Sequence, residues 1–173
     1  MSNEAFYYVD GVTTKGTWVD LDLVDDTDEV LQELARLGLV PTNEDGEPEY
    51  GGDLLVADVT GDLPQAFYSS GIDSLDLSGL KDCMADCDSQ GWDYEAAAAY
   101  IGWAGSWSRS GFEDAYNGEW DSEQAFAENL FDECYLHEVP DFAKNYIDYE
   151  KFARDLFRGG DYTYENGYVF RCC

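Results

Sequence analysis

Thirty-eight carboxylates, five thiols and one imidazole are the groups with which this 173-residue sequence would have to do chemistry. The single histidine, His137, excludes any mechanism that needs two, and no Ser, Cys or Asp nucleophile stands in a recognisable motif. Lying beside Glu138 and ahead of Pro140, it reads as a surface residue. Cys83 and Cys87 are spaced i, i+4, which puts two thiols on one helix face. Zinc would require two further ligands, and Cys134, His137, Cys172 and Cys173 offer no familiar spacing. Buried or incidental thiols are the better reading. Asp25, Asp26 and Asp28, and the stretch Asn43-Glu44-Asp45-Gly46-Glu47, lack the spacing and closing glutamate of an EF-hand calcium loop. A glycoside hydrolase needs only one acid pair, but nothing selects a pair among 38. No phosphate-cradling Gly-rich loop is present. The expectation is a non-enzymatic protein with no catalytic residue, no cofactor and no metal.

What remains is the charge itself. Against 38 acids stand 9 bases, a formal net charge of −29. Self-repulsion on that scale lowers the stability of any compact state, so it calls for a reason. The acids form no tail, since no run of five like charges occurs. They are also confined: residues 1–143 hold 33 acids and four bases, whereas 144–173 hold five of each. Adaptation to salt or a need for solubility would spread them everywhere. Direct binding to nucleic acid is disfavoured, because DNA already carries one negative charge per roughly 1.7 Å of duplex axis. The inverse reading fits better. Twenty-nine charges match the phosphates of roughly 15 base pairs at that spacing. A groove lined with Lys and Arg reads phosphates without reading sequence, so carboxylates at similar positions can occupy it. The candidate partner-binding acids are Asp82, Asp86, Asp88, Asp93, Glu95, Glu113, Asp114, Glu119, Asp121, Glu123, Glu128, Asp132 and Glu133. The alternative is an acidic interaction module or chaperone that shields another basic DNA-binding protein.

These acids must be carried by folded elements, since 45% apolar and 16% aromatic residues suffice for a core. Phe6 to Val9 and Gly16 to Leu21 read as strands of a hairpin around Asp10-Gly11. A helix opens at Asp25–Glu29, carries Val30, Leu31, Leu34 and Leu37, and stops at Gly38. Residues 41–53 form a loop, and Leu54 to Val59 a third strand. Helical spacing follows over Leu63–Tyr68, Leu75–Asp88 and Tyr94–Trp103, with breaks at Gly71, Gly79, Gly91 and Gly105. Gly111 to Tyr116 reads as a strand before the turn signal Asn117-Gly118. Asp121-Ser122 caps a helix through Phe126 and Phe131, a second helix runs from Asp148 to about Phe157, and residues 162–171 close as a hairpin. The expected fold class is α+β, an elongated chain of three small modules: 1–61, a helical 62–106, and 107–173.

No 18-residue apolar stretch is present, and Met1 to Asp10 lacks the basic and apolar regions of a secretory signal. An odd number of cysteines without an export signal suggests reduced thiols and a cytoplasmic protein.

Several segments, taken in order, resemble the ArdA-type antirestriction family. They begin with Gly16-x-Trp18-x-Asp20-Leu21 and the strand Leu54-Leu55-Val56-Ala57-Asp58. They continue with Phe112-Glu113-Asp114-Ala115-Tyr116-Asn117-Gly118-Glu119-Trp120 and Phe126-Ala127-Glu128-Asn129-Leu130-Phe131-Asp132-Glu133. Tyr146 to Leu156 and Tyr168-Val169-Phe170-Arg171 complete the set. The resemblance implies an acidic protein of mobile elements, elongated in three modules and similar to a bent duplex. It also implies dimerisation through the C-terminal module and obstruction of the DNA groove of type I restriction–modification enzymes. The segment Phe126 to Glu133 looks like the family's antirestriction motif. Asp58-Val59-Thr60-Gly61-Asp62 and the Cys172-Cys173 end depart from the family pattern. The near-neutral last 30 residues suit an interface between two copies, with Tyr146, Tyr149, Tyr168 and Phe170 as its candidate residues.

Overall fold

A computed structural model describes residues 2–63, 67 and 77–172. The fold is α+β, with helices beside two three-stranded antiparallel sheets. The chain divides into two compact units, Met1–Gly102 and Trp103–Cys173.

In the first unit, β1 (Glu4–Val9) is the central strand, flanked by β2 (Val12–Asp20) and β3 (Leu54–Thr60). Its alternating pattern leaves Ala5, Tyr7 and Val9 fully enclosed. The β1–β2 turn is Asp10-Gly11, with φ of 57° and 67°. Two successive positive φ values make the tight hairpin turn whose twist matches the strands, and the Asp-Gly pair tolerates them best. Helix α1 (Thr27–Arg36) starts at Asp26, whose carboxylate accepts the Glu29 amide at 2.9 Å. Glu29 in turn accepts the Asp25 amide at 2.7 Å, so acid side chains occupy the free N–H groups at this end. Val30 and Leu34 of α1 pack into the sheet's core with Tyr7, Val9, Val19 and Val56. Each aliphatic chain buried this way contributes about 1.5–3 kcal/mol before entropy is counted.

Helix α2 (Leu77–Gln90) follows, with Leu77, Leu80, Cys83 and Cys87 on its buried face. Leu77 and Leu80 belong to the same core as the first sheet. The break expected at Gly79 does not occur. Glycine costs about 1 kcal/mol in a helix interior, and burial of the leucines on either side outweighs it. Gly91 does end α2, at φ 72°. Helix α3 (Tyr94–Ala104) buries Ala96 through Tyr100, and the boundary between the units falls within it. The helix expected over Leu63–Tyr68 and the break at Gly71 lie largely outside the described residues.

The second unit brings one correction. Gly111 to Tyr116, expected as a strand, is mostly helix α4 (Arg109–Ala115). Ser108 caps it by accepting the Gly111 amide at 3.2 Å, and Phe112 and Ala115 point inward together at i, i+3 spacing. The pattern has helical period, which a six-residue window of mixed residues concealed. Strand β4 (Tyr116–Glu119) then pairs with β6 (Tyr168–Arg171), which also pairs with β5 (Tyr162–Glu165). Asn117-Gly118 therefore makes no hairpin turn. Tyr116 faces Phe170 and Glu119 faces Tyr168, so β4 carries one extra residue, a bulge with Gly118 at φ 91°. The β5–β6 hairpin turns at Asn166-Gly167 as the sequence indicates, with φ of 50° and 94°. Helices α5 (Glu123–Cys134) and α6 (Tyr149–Arg158) are capped by Ser122 and Asp148 and pack against each other. Between them lie two 3-10 turns, Leu136–Glu138 and Asp141–Tyr146, which the sequence did not suggest.

Candidate functional site

None of the described carboxylates is buried. Every core position reached by an alternating or helical pattern is apolar, so the same patterning that makes the cores expels the acids to the surface. Of the thirteen acids singled out from the sequence, eleven are exposed, and Asp86 and Glu128 are half-buried.

Helix α5 concentrates them most. Phe126 and Ala127 face inward, which turns Glu123, Glu128, Asp132 and Glu133 toward solvent or the helix flank. The 12 residues span about 18 Å at 1.5 Å each, so four carboxylates give one charge per ~4.5 Å. One DNA strand carries one per ~3.4 Å, so the line density is of the same order. No Lys or Arg interrupts the helix.

Two of these acids, Glu128 and Asp132, are held by neutral side chains. The Tyr149 hydroxyl on α6 donates to Asp132 Oδ1 at 2.6 Å, and Gln124 Nε2 donates to Glu128 Oε1 at 2.7 Å. Tyr149 is positioned for this by an edge-to-face contact with Phe131, ring centres 5.7 Å apart. Its hydroxyl titrates above the ordinary tyrosine range, because the hydrogen bond to Asp132 needs the proton. In the first unit, Tyr94 on α3 donates to Asp88 Oδ1 at 2.8 Å, and burial followed by that bond raises its pKa. A neutral donor fixes a carboxylate without cancelling its charge, as a lysine would. Helical spacing makes the Gln124–Glu128 pair legible in the sequence; Tyr149 and Asp132, 17 residues apart, are joined only by the α5–α6 packing.

The other acids have different surroundings. Asp82, Asp86 and Asp88 lie on α2, Asp93 and Glu95 around the start of α3. Glu113 pairs with Arg109 at 3.3 Å, so part of its field is offset. Asp114, Glu119 and Asp121 are exposed around α4 and β4. At the other positions considered for an interface, Tyr146 is 85% exposed and Tyr149 half-buried. Tyr168 and Phe170 are enclosed within the second unit's own core, where Phe170 lies against Trp103, Phe112 and Tyr116. Phe142, which the sequence did not single out, is 79% exposed beside Tyr146 on the same 3-10 segment. A large aromatic in a polar neighbourhood was its only signal.

The thiol pair is interior. Cys83 and Cys87 are both enclosed on α2, and their mutual hydrogen bond with burial pushes the Cys83 thiol up. Among the described residues, no group of three or more His, Cys, Asp or Glu is arranged around a common point that could hold a metal ion. No described helix is long and apolar enough to cross a membrane.

No match is found among curated proteins. A family model described as antirestriction protein (ArdA) matches residues 6–170, nearly the whole chain. The blocks Phe112 to Trp120 and Phe126 to Glu133 lie inside that match, as do Tyr168 to Phe170 and all thirteen candidate acids. The chain belongs to the antirestriction protein (ArdA) family.

Proposed function

We propose that this protein is an antirestriction protein acting without catalysis, as an acidic imitation of duplex DNA that occupies the DNA groove of a type I restriction–modification enzyme. The observation that carries this reading is the placement of charge: a surplus of 29 acids in a chain where none of the described carboxylates is buried. On α5 their line density is of the same order as that of one DNA strand, and neutral donors hold Glu128 and Asp132. Family membership supports the antirestriction role and a restriction enzyme as partner. The charge supports competition with DNA as the means, since any dense array of anions that a basic groove neutralises sheds its own counterions, as DNA does.

The test is a binding titration against the DNA-recognition and methyltransferase core of a type I enzyme, with and without competing duplex. Binding should weaken steeply with salt and be displaced by duplex. Binding that excess duplex leaves unchanged would rule out mimicry, and capture of a structural basic protein instead would favour the shielding role. Replacing Asp121, Glu123, Glu128, Asp132 and Glu133 together by amides should reduce affinity by orders of magnitude and flatten the salt dependence.

Two copies of the chain are proposed to pair through the near-neutral C-terminal region. The exposed Tyr146 within it and Phe142 just ahead of it support this, because exposed rings of this size are enriched where proteins meet. Sedimentation should show a dimer for the parent and a monomer for a Phe142→Asp, Tyr146→Asp double variant. An unchanged mass for the variant would place the interface elsewhere.

A further inference from the structure

Phosphate imitation needs carboxylates and has no use for exposed apolar side chains, yet the first unit displays two at one cleft. Trp18 on β2 is 43% exposed, and Leu23, just past the strand, is 81% exposed. They line an open cleft of about 560 Å³ between β2 and α1. Around them stand the carboxylates of Glu4, Asp20 and Glu29. Glu33 and Arg36 line it as an ion pair, Arg36 Nε lying 2.8 Å from Glu33 Oε2, so the surplus of negative charge there belongs to Glu4, Asp20 and Glu29. The indole meets Phe6 edge-to-face, centroids 5.5 Å apart, and the register Phe6↔Trp18, Glu4↔Asp20 sets Trp18, Glu4 and Asp20 on one face of the sheet.

We infer that this cleft receives an arginine side chain of the protein partner, with its guanidinium against the Trp18 indole and its charge facing the Glu4 and Asp20 carboxylates on the same sheet face. This inference rests on the reading of the protein as a ligand for basic grooves. Charge complementarity selects the occupant. An indole face attracts cations, and acids on the rim repel anions and favour a positive group. Arginine fits better than lysine, because a planar guanidinium stacks on an aromatic face while its edges bond carboxylates, and it is less strongly hydrated. Leu23 would cover the apolar stem of the same side chain. A tryptophan anchor inside a charge-driven interface also supplies what charge alone lacks: affinity that survives salt.

The test uses the full chain and capped Gly-Arg-Gly and Gly-Lys-Gly tripeptides, followed through the Trp18 indole N–H resonance, which a Trp18→Phe variant identifies. The arginine peptide should shift that resonance and bind about two- to fivefold more tightly than the lysine peptide. In Trp18→Ala, where calorimetric titration replaces the lost resonance, the two peptides should bind equally weakly. An unmoved indole resonance, or equal affinity for the two peptides, overturns the inference without using any altered protein. With the restriction enzyme, Trp18→Ala and Leu23→Ala should each weaken binding severalfold while leaving its salt dependence unchanged, since no charge is removed. Undiminished affinity of both variants, in complexes still displaced by duplex DNA, would sink the cleft and leave DNA mimicry standing.

Discussion

Among the described residues, 21 side chains are enclosed in the first unit, mostly Val, Leu and Ala; in the second only eight are enclosed, and the packing is carried by rings. Phe112 stacks on Tyr116 at 4.7 Å and Trp103 on Phe170 at 5.8 Å, while Phe126 meets Trp120, Phe157 and Tyr162. The charges differ as well. The first unit has 23 acids and three bases, a net −20, and the second 15 acids and six bases, a net −9. An aliphatic core of ordinary depth tolerates the larger repulsion. A shallow core of 71 residues relies on aromatics because each ring buries about 150–250 Å² and adds about 0.5–1.5 kcal/mol per well-placed pair. The second unit also leaves Phe142 and Tyr146 outside. The contrast suggests that the unit with least internal burial is the one that gains most from a second copy.

The largest expected effect breaks the aromatic side of this contrast. Phe170→Ala should cost about 3–5 kcal/mol, against about 2–5 kcal/mol for Leu34→Ala in the first unit. Chemical denaturation followed by near-ultraviolet circular dichroism measures both. A Phe170→Ala loss below about 1 kcal/mol would show that the ring network is redundant.

The next effect sharpens the first unit's side. Tyr7 is fully enclosed, and burial pushes its hydroxyl from 10.0 to about 12. The unfolded tyrosine releases its proton near pH 10 while the folded one keeps it, so the native state binds more protons between pH 10 and 12. Stability should therefore be intact below pH 10 and fall on the order of 2–3 kcal/mol as pH rises through that window. Tyr7→Phe should abolish that part of the alkaline loss. An identical alkaline profile for the variant would assign the loss to other groups.

A smaller effect concerns backbone approach. A Cβ on Gly16 would lie 2.5 Å from the Tyr7 carbonyl oxygen and 2.7 Å from Tyr8 Cβ. Gly16→Ala must displace β2 from β1 and should cost about 1–3 kcal/mol by equilibrium unfolding. A neutral outcome would mean that the edge strand shifts freely.

The smallest effect belongs to single acids. Asp132→Asn should change stability by less than about 0.5 kcal/mol, because the residue is exposed and Tyr149 can donate to the amide oxygen as well. Partner binding should weaken only a few-fold, since one of many screened charges is lost. A hundredfold loss from this one change would point to a specific contact in place of a distributed field.

Much of the fold is legible in the sequence alone. The hairpin at Asp10-Gly11, the acid-capped α1, the Ser122 and Asp148 caps and the closing hairpin all follow from local rules that need only neighbouring residues. The failures share a cause. Gly111 to Tyr116 is a helix because Ser108 caps it and Phe112 and Ala115 face one core, and Asn117-Gly118 is a bulge because β6 lies alongside. Gly79 stays helical because Leu77 and Leu80 are buried on the first sheet's core. In each case a distant partner outvoted a local propensity.

For the acids the division is similar. The sequence by itself determined the amount of charge, its confinement before residue 144 and its exposure, because composition and apolar periodicity decide what can be buried. Only the tertiary structure decided how individual acids are held and what stands beside them. Tyr149 reaches Asp132 because α5 packs on α6, and Trp18 shares a sheet face with Phe6, Glu4 and Asp20 because β2 pairs with β1. Such contacts join residues far apart in the chain, and no local spacing encodes them.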